Sequence, residues 1–264
     1  MKNSIKSVWA YKDFILGSVK RRLEDKYHTS MLGSLWIILN PLAMVLTYTL
    51  IFSKIMSPRF PDNDNYYAYS IYLCAGLILW GLFSEIVVNA QNIFLDNAAL
   101  LKKINFPRLC LPIILIFSAL INFAIIFGLF ILFLLITGNF PGWVLLSALP
   151  LVFLLVTFSI GLGISLGVLN VFFRDVGQFF IIFINFWFWL TPIVYSLDIL
   201  PEFSRQMIRL NPMTPFVEAF QQVILNHHFP RWETLLPIIV LSIILCILGV
   251  SLFRKHASEI VDEI

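Results

Sequence analysis

Few residues in this sequence have types and spacings that could do chemistry. The adjacent pair His227-His228 could be a metal or catalytic pair, or could be structural. The three cysteines lie in or beside apolar runs without CxxC or Cys/His spacing, which indicates small buried residues rather than a metal site. No glycine is followed by lysine, so the chain lacks the phosphate-binding loop of many ATPases, and it has no hydrolase or zinc-protease pattern. The sequence therefore predicts no enzyme activity, no metal and no cofactor.

Glu85 is the only ionisable residue within the apolar stretches of the chain. It could face an aqueous channel, or it could bond to a neighbouring helix. Transporters that couple to protons or ions commonly carry more intramembrane charge or broken-helix sites. We therefore expect the energy for any transport to come from another subunit.

Composition places these residues in a lipid environment. The chain of 264 residues is 59% hydrophobic and 12% charged, whereas soluble domains carry about 25% charged residues. The net charge of +3 is too small to suggest nucleic-acid binding. A soluble core of this size could not bury so much apolar surface.

The sequence predicts an all-α integral membrane protein with six transmembrane helices, since about 20 apolar residues cross a bilayer and lipid-embedded backbone must bond internally. Pro41 and Pro192 are expected to kink their helices. The small residues of the run 161–167 are expected on one helix face, where they allow close packing. The predicted spans are 32–52, 70–90, 109–136, 142–170, 176–196 and 235–253.

Basic residues are distributed unequally between the two sides of these spans. Thirteen of the 18 Lys and Arg fall on the side of the termini, and five fall on the other. Because cytoplasmic segments carry the excess of Lys and Arg, we expect both termini in the cytoplasm.

Three segments outside the spans have features of their own. Residues 5–28 form an amphipathic pattern typical of a helix on the cytoplasmic membrane surface. The loop 92–108 carries apolar residues that a connector does not need, so it could be a docking surface for a partner or only a plain connector. The external segment 197–234 predicts two short helices that could dip back into the membrane, the second with Pro215 in its first turn.

Five ordered stretches give a family resemblance. They are Leu32-Gly-Ser-Leu-Trp with Asn40-Pro-Leu, Tyr72-Leu-Cys-Ala-Gly-Leu-Ile-Leu-Trp, Asn97 to Arg108, Phe172-Phe-Arg-Asp-Val with Thr191-Pro-Ile-Val-Tyr, and Asn211-Pro-Met-Thr-Pro-Phe. Each is weak alone, but together and in this order they resemble the ABC-2 type permeases of polysaccharide export, most closely those of O-antigen.

The resemblance implies a permease of the bacterial plasma (inner) membrane that works as a homodimer with two copies of a separate ATPase subunit, which binds ATP and Mg. The substrate would be a lipid-linked polysaccharide. The external gate would include Asn211, Pro212, Pro215, Phe216 and Phe220. The residues that couple to the ATPase would be Asn97, Leu100, Leu101, Lys102, Lys103, Phe106, Pro107 and Arg108.

Sugar chemistry suggests which residues could line a conduit, because aromatic rings can lie against sugar faces while amides and hydroxyls bond sugar edges. By analogy with bases that stack on aromatic side chains, such a wall gives sliding contact. The same rings could instead face lipid or neighbouring helices. Arg174 and Asp175 could be a functional charge pair at the cytoplasmic rim or only a helix-end pair. The channel-lining candidates are Trp36, Asn40, Tyr48, Glu85, Asn185, Trp187, Trp189 and Tyr195.

Two other functions remain open at this point. A related permease for drugs or lipids would share the same plan. A membrane-embedded transferase would need paired catalytic groups at a membrane face, and only the external His and acidic residues could supply them.

Overall fold

The computed structural model describes residues 11–25, 67–103, 109–256 and 259–263, together with positions 35, 36, 39, 42, 43, 46, 47 and 107. Most of the first predicted span, including Asn40 and Tyr48, lies outside these residues, as do Phe106 and Arg108.

The described residues fold into helices and turns, without a strand. Two 3-10 turns, Gly142–Ser147 and Leu197–Ile199, precede α5 and α7. The α-helices are α1 Lys12–Asp25, α2 Ala68–Asp96, α3 Ala98–Lys103, α4 Cys110–Ile136, α5 Ala148–Phe172, α6 Asp175–Trp189, α7 Glu202–Arg209, α8 Thr214–Leu225, α9 Trp232–Lys255 and α10 Glu259–Glu263.

Four of the described helical segments are long and apolar enough to cross a membrane: α2, α4, α9 and the continuous segment 142–172. Each matches one predicted span to within a few residues at its N-terminal end, and α2 runs six residues further than expected, to Asp96. The first part of the loop predicted over 92–108 is therefore the last turn of α2.

The fifth predicted span, 176–196, is not one continuous helix. α6 has 15 residues and ends at Trp189, which gives about 22 Å, whereas a bilayer core is about 30 Å thick. Pro192 explains the end, because proline has no backbone N–H and disfavours helical geometry in the residue before it. The expected kink at Pro192 is thus a helix end, after which the chain turns.

α5 lies at the centre of the bundle, between α2 and α9. Its small residues face both neighbours. A Cβ on Gly161 would lie 2.7 Å from the backbone N of Cys246 in α9, and a Cβ on Gly163 would lie 2.5 Å from the Cβ of Ala90 in α2. Residues two apart point in nearly opposite directions on a helix, so the expectation of a single small face was wrong.

The C-terminal ends of α2, α5 and α9 meet at one end of the bundle. The Phe94 and Phe253 rings stack with centroids 5.3 Å apart, and the Asn170 amide donates to the Gln91 carbonyl at 3.2 Å. We call this end the basic end, because a group of basic residues lies on or beside it, among them Arg21, Arg22, Lys102, Lys103, Arg174, Arg254 and Lys255.

α1 packs against the first turns of α4 at the basic end. Ile15 and Val19, four residues apart, form a small buried cluster with Cys110 and Ile114. The described part of the apolar stripe in 5–28 therefore contacts protein rather than the membrane surface, which its amphipathic pattern had predicted.

Candidate functional site

α3 is a short helix that follows α2 almost without a break. The Asn97 amide donates to the Ile93 carbonyl at 2.8 Å, and the Asn97 carbonyl accepts from the backbone N–H groups of Leu100 and Leu101. The side chain of Asn97 therefore caps the end of α2, while its backbone carbonyl accepts the first hydrogen bonds of α3. Pro107 is half-buried, and its carbonyl accepts the N–H of Cys110 at 2.8 Å.

The apolar residues of this region pack inward. Phe94 is buried against Phe253, while Leu95, Leu100 and Leu101 are half-buried against the same core. The expected apolar docking patch is thus absent from the described surface, since these side chains hold α3 to the bundle. The exposed residues are Asp96, Ala99 and Lys102, which recur every third position on one face.

The C-terminal helix α10 supports α3, a role that the sequence pattern did not indicate. α10 packs against both α3 and α5. Ile260 is buried, and the His256 ring contacts the Phe172 ring at 5.5 Å while its Nδ1 lies within hydrogen-bond distance of the Glu259 carboxylate. The adjacent apolar residues Ile260 and Val261 in a polar tail were the available signal.

Glu85 bonds to a neighbouring helix, which was one of its two alternatives. Its carboxylate accepts from the Asn122 amide of α4 at 2.7 Å. One turn further, Asn89 donates to the Glu85 carbonyl at 2.6 Å and accepts from the Arg22 guanidinium of α1 at 2.8 Å. A polar line thus joins α1, α2 and α4 along one side of the bundle.

A buried amide cluster ties α6 to α2 and α5 at the basic end. Asn170 accepts from the Gly177 N–H at 2.9 Å and donates to Asn92 at 3.1 Å, while Gln91 donates to the Gly177 carbonyl at 3.0 Å. The adjoining Arg174 and Asp175 are exposed and form no ion pair with each other in this turn.

α6 has one buried face and one exposed aromatic face. Trp187 is buried, with its ring 5.1 Å from that of Phe83, so in this conformation it packs inside the bundle. Trp189 is 65% exposed and Asn185 is exposed, while Tyr195 is half-buried and donates to the Trp189 carbonyl at 3.0 Å. Trp36, the one described candidate of the first span, is exposed at 36%.

Asn211 joins the end of α6 to the segment that follows it. Its Oδ1 accepts from Trp187 Nε1 at 2.7 Å and from the Met213 N–H at 2.9 Å. Its Nδ2 donates to the Leu190 carbonyl at 3.1 Å and to Thr191 Oγ1 at 3.0 Å. The sequence singled out Asn211 by motif alone, and its partners 20 to 24 positions away could not be predicted.

α8 packs inside the bundle through the apolar face that its periodicity predicts. Phe216 lies 5.7 Å from Phe158 of α5, and Phe220 lies 5.7 Å from Phe127 of α4. Gln221 donates to the Tyr72 carbonyl of α2 at 3.2 Å, which satisfies a buried amide. Pro212 lies in the turn before the helix, and Pro215 occupies its first turn, where the missing N–H costs nothing.

α2 also holds this segment through two tyrosines. Tyr69 donates to the Val194 carbonyl at 2.8 Å, and Tyr72 donates to the Tyr195 carbonyl at 2.8 Å. The turn after α6 and helix α8 are therefore both bonded to the N-terminal half of α2.

The predicted histidine pair has a structural explanation. His227 has a φ of +55°, a left-handed conformation that ends α8. No group of three or more metal-ligating side chains occurs among the residues that the structure describes.

In α8, burial raises the pKa of Glu218. The Arg209 guanidinium opposes this rise in the pKa, and the Asp198 carboxylate adds to it.

These features define a multi-span helical membrane protein with short helices at both ends of its bundle. The sequence model of the ABC-2 type transporter family matches residues 15–225, so the chain belongs to this family.

Its curated relatives match over nearly their whole length. The O-antigen export system permease protein RfbA of Myxococcus xanthus is 28% identical over 98% of both chains. The protein of the same name from Klebsiella pneumoniae is 30% identical over 92% of both. The polysialic acid transport protein KpsM of Escherichia coli is 25% identical over 89% of this chain and 90% of its own.

Proposed function

We propose that this chain is the membrane-spanning permease subunit of an ATP-driven exporter of lipid-linked polysaccharide, of the O-antigen class, in the bacterial inner membrane. The observation that carries the proposal is the family match over residues 15–225, together with relatives of the same length that are named as O-antigen and polysialic acid transport proteins.

The working assembly would be a homodimer with two ATPase subunits, and both termini would lie in the cytoplasm. The clustering of basic residues at one end of the bundle supports this orientation, because cytoplasmic ends carry the excess of Lys and Arg. The exposed aromatic face of α6 would then line the conduit or contact the second copy.

α3 would be the helix that docks on the ATPase, through its exposed Ala99 and Lys102 together with the exposed Asp96 at the end of α2. Its half-buried leucines support a role in passing force to the bundle, because they pack α3 against the core. Docking would thus use polar and small side chains rather than the apolar patch that the sequence suggested.

α7 and α8 would form the external gate. α2 provides a direct connection to it, since this helix of 29 residues begins beside the Tyr69 and Tyr72 contacts and ends at α3. A rod of that length spans about 43 Å. A tilt imposed at α3 would therefore reach the gate segment without an intermediate.

Deletion of the gene in its own bacterium tests the transport function. Polysaccharide should disappear from the cell surface and accumulate inside the cell, and the intact gene should restore export. A normal surface polysaccharide combined with altered sensitivity to drugs would instead support the alternative of a drug or lipid permease.

A further inference from the structure

A cavity of about 340 Å³ lies at the basic end, between α1, the last turns of α2, α3 and the first turn of α4. Its polar wall contains Ser18, Arg21, Arg22, Asn89, Asp96 and Asn97. The remaining wall is apolar and includes Phe14, Leu100 and Ile114. The cavity is therefore amphipathic and combines cationic and apolar surfaces.

The cationic groups in this wall retain hydrogen-bond donors. Arg22 uses one donor on Asn89 at 2.8 Å, and neither arginine forms a salt bridge within the part of the chain that the structure describes. A guanidinium has five N–H donors in a planar fork that matches phosphate oxygens. Asp96 supplies one opposing charge, which leaves the wall with a net positive charge.

The position of the cavity favours a ligand from the membrane. α2 and α4 both cross the membrane by length and composition, and the cavity lies where α2 ends and α4 begins. The charged wall thus stands at the level of lipid headgroups, next to an apolar wall at the level where acyl chains begin.

We propose that this cavity binds the phosphate headgroup of an anionic membrane lipid, with Arg21 and Arg22 as its cationic ligands and Ser18 and Asn97 as neutral partners. Charge-assisted bonds from arginine to phosphate are among the stronger hydrogen bonds in proteins. The site does not depend on the proposed transport function. Only an effect of bound lipid on α3, whose Leu100 forms part of the wall, would rest on that function.

Native mass spectrometry of the full chain tests the site without ATPase or polysaccharide. The chain is released from detergent with phosphatidylglycerol or with phosphatidylcholine. We expect one retained phosphatidylglycerol per chain, and at least fivefold less phosphatidylcholine. The double variant Arg21→Gln/Arg22→Gln should retain at least fivefold less phosphatidylglycerol than the wild-type chain.

Two further variants separate the cavity from surface charge. Lys20→Gln removes a charge from the same helix outside the cavity, where Lys20 pairs with Glu24 at 3.8 Å, and it should bind as wild type does. Ser18→Leu fills the cavity while keeping both arginines, and it should lose binding. Thermal melting of each variant reports folding, and if the double variant does not fold, Ser18→Leu decides.

The site is refuted if Lys20→Gln loses as much lipid as the double variant, if Ser18→Leu binds normally, or if the two lipids bind equally. Competition identifies the source of the phosphate. Displacement by a polyprenyl phosphate at lower concentration than phosphatidylglycerol supports the site and points to a carrier lipid. Displacement by millimolar soluble glycerol phosphate alone would show a site for free phosphate compounds and would overturn the lipid assignment.

Discussion

At the scale of single residues, Asn211 uses both ends of its amide. Two donors converge on Oδ1, and Nδ2 bonds two acceptors near the end of α6. Since Trp187 is buried, its indole N–H would have no alternative partner in water. The side chain therefore fixes the angle at which the chain leaves α6 and enters the segment before α8.

Asn211→Ala should destabilise the protein by about 1–3 kcal/mol, because it leaves buried donors and acceptors unsatisfied. The exposed Asn226 at the end of α8 offers a matched control, and Asn226→Ala should change stability by less than about 0.5 kcal/mol. Unfolding of the purified chain in detergent measures both. Equal effects of the two substitutions would mean that the Asn211 bonds do not hold the segment.

The carboxyl of Glu218 gives the α8 region a dependence on pH. Its pKa in the folded chain is raised by burial, so folding favours the protonated form. The contribution of this carboxyl to stability is fully present below its pKa in the unfolded chain, which is about 4.3. It is lost as pH rises through the higher folded pKa.

Glu218→Gln keeps a neutral side chain and should flatten this decline, so its stability should exceed that of wild type at neutral pH. Glu233→Gln, at an exposed position of α9, should keep the decline. Melting temperatures measured from pH 4 to pH 8 compare the three proteins. A wild-type curve that rises with pH over this window and loses its rise in Glu218→Gln would contradict a raised pKa.

At the scale of helices, the contact between α5 and α9 depends on missing side chains. A Cβ on Gly161 would meet backbone atoms of Leu245 and Cys246 at 2.7–2.8 Å, and a Cβ on Gly249 would meet the Gly161 carbonyl at 2.9 Å. Backbone cannot rotate away as a side chain can. The two helices must therefore separate to admit a methyl group.

Gly161→Ala should cost about 1–3 kcal/mol, the usual range for overpacking. Gly128→Ala in α4 is the control, because nothing lies within 4 Å of a Cβ there and alanine is the better helix former by up to about 1 kcal/mol. The two substitutions add the same methyl group and should change the melting temperature in opposite directions. A loss of stability in Gly128→Ala as large as that in Gly161→Ala would contradict the role of the close contact.

The C-terminal helix α10 should keep α3 ordered, because it packs directly beneath it. Ile260→Asp places a charge at a position that is 1% exposed, so α10 should detach. Amide hydrogen exchange should then rise at least tenfold in residues 98–103 and stay unchanged in the middle of α4. Glu263→Gln, at an exposed position of the same helix, should leave exchange unchanged. Continued protection of α3 in Ile260→Asp would show that α2 alone orders it.

Sequence periodicity predicted the buried face of a regular helix and failed in the short segment α3, where spacing alone does not show which side is covered. The buried face of α8 followed from spacings of three and four. The inward packing of Leu100 and Leu101 could not follow, because the core that buries them includes residues of α9 more than 140 positions away. Hydrophobicity also predicted the continuous segment 142–172 to within two residues, but it did not predict the length of α6, where Pro192 outweighs the apolar residues around it.

At the scale of the whole molecule, the contacts fix which helix ends lie together. α3 and the ends of α2, α5 and α9 share the basic end. α7 and α8 lie at the opposite end, with the start of α2 and the turn after α6. The chain thus has two chemically different ends, and a single labelling experiment can assign both to their sides of the membrane.

Lys102 and Arg209 are suitable positions for labelling, because both are exposed and they lie at opposite ends. The positive-inside rule predicts that a membrane-impermeant thiol reagent labels Arg209→Cys in intact cells and labels Lys102→Cys only after the membrane is opened. The wild-type chain is the control for the native cysteines, of which Cys74 and Cys110 are buried. Labelling of Lys102→Cys from outside would place α3 on the external side of the membrane, and a cytoplasmic ATPase could not reach it there. That result would exclude both the proposed orientation and the proposed coupling.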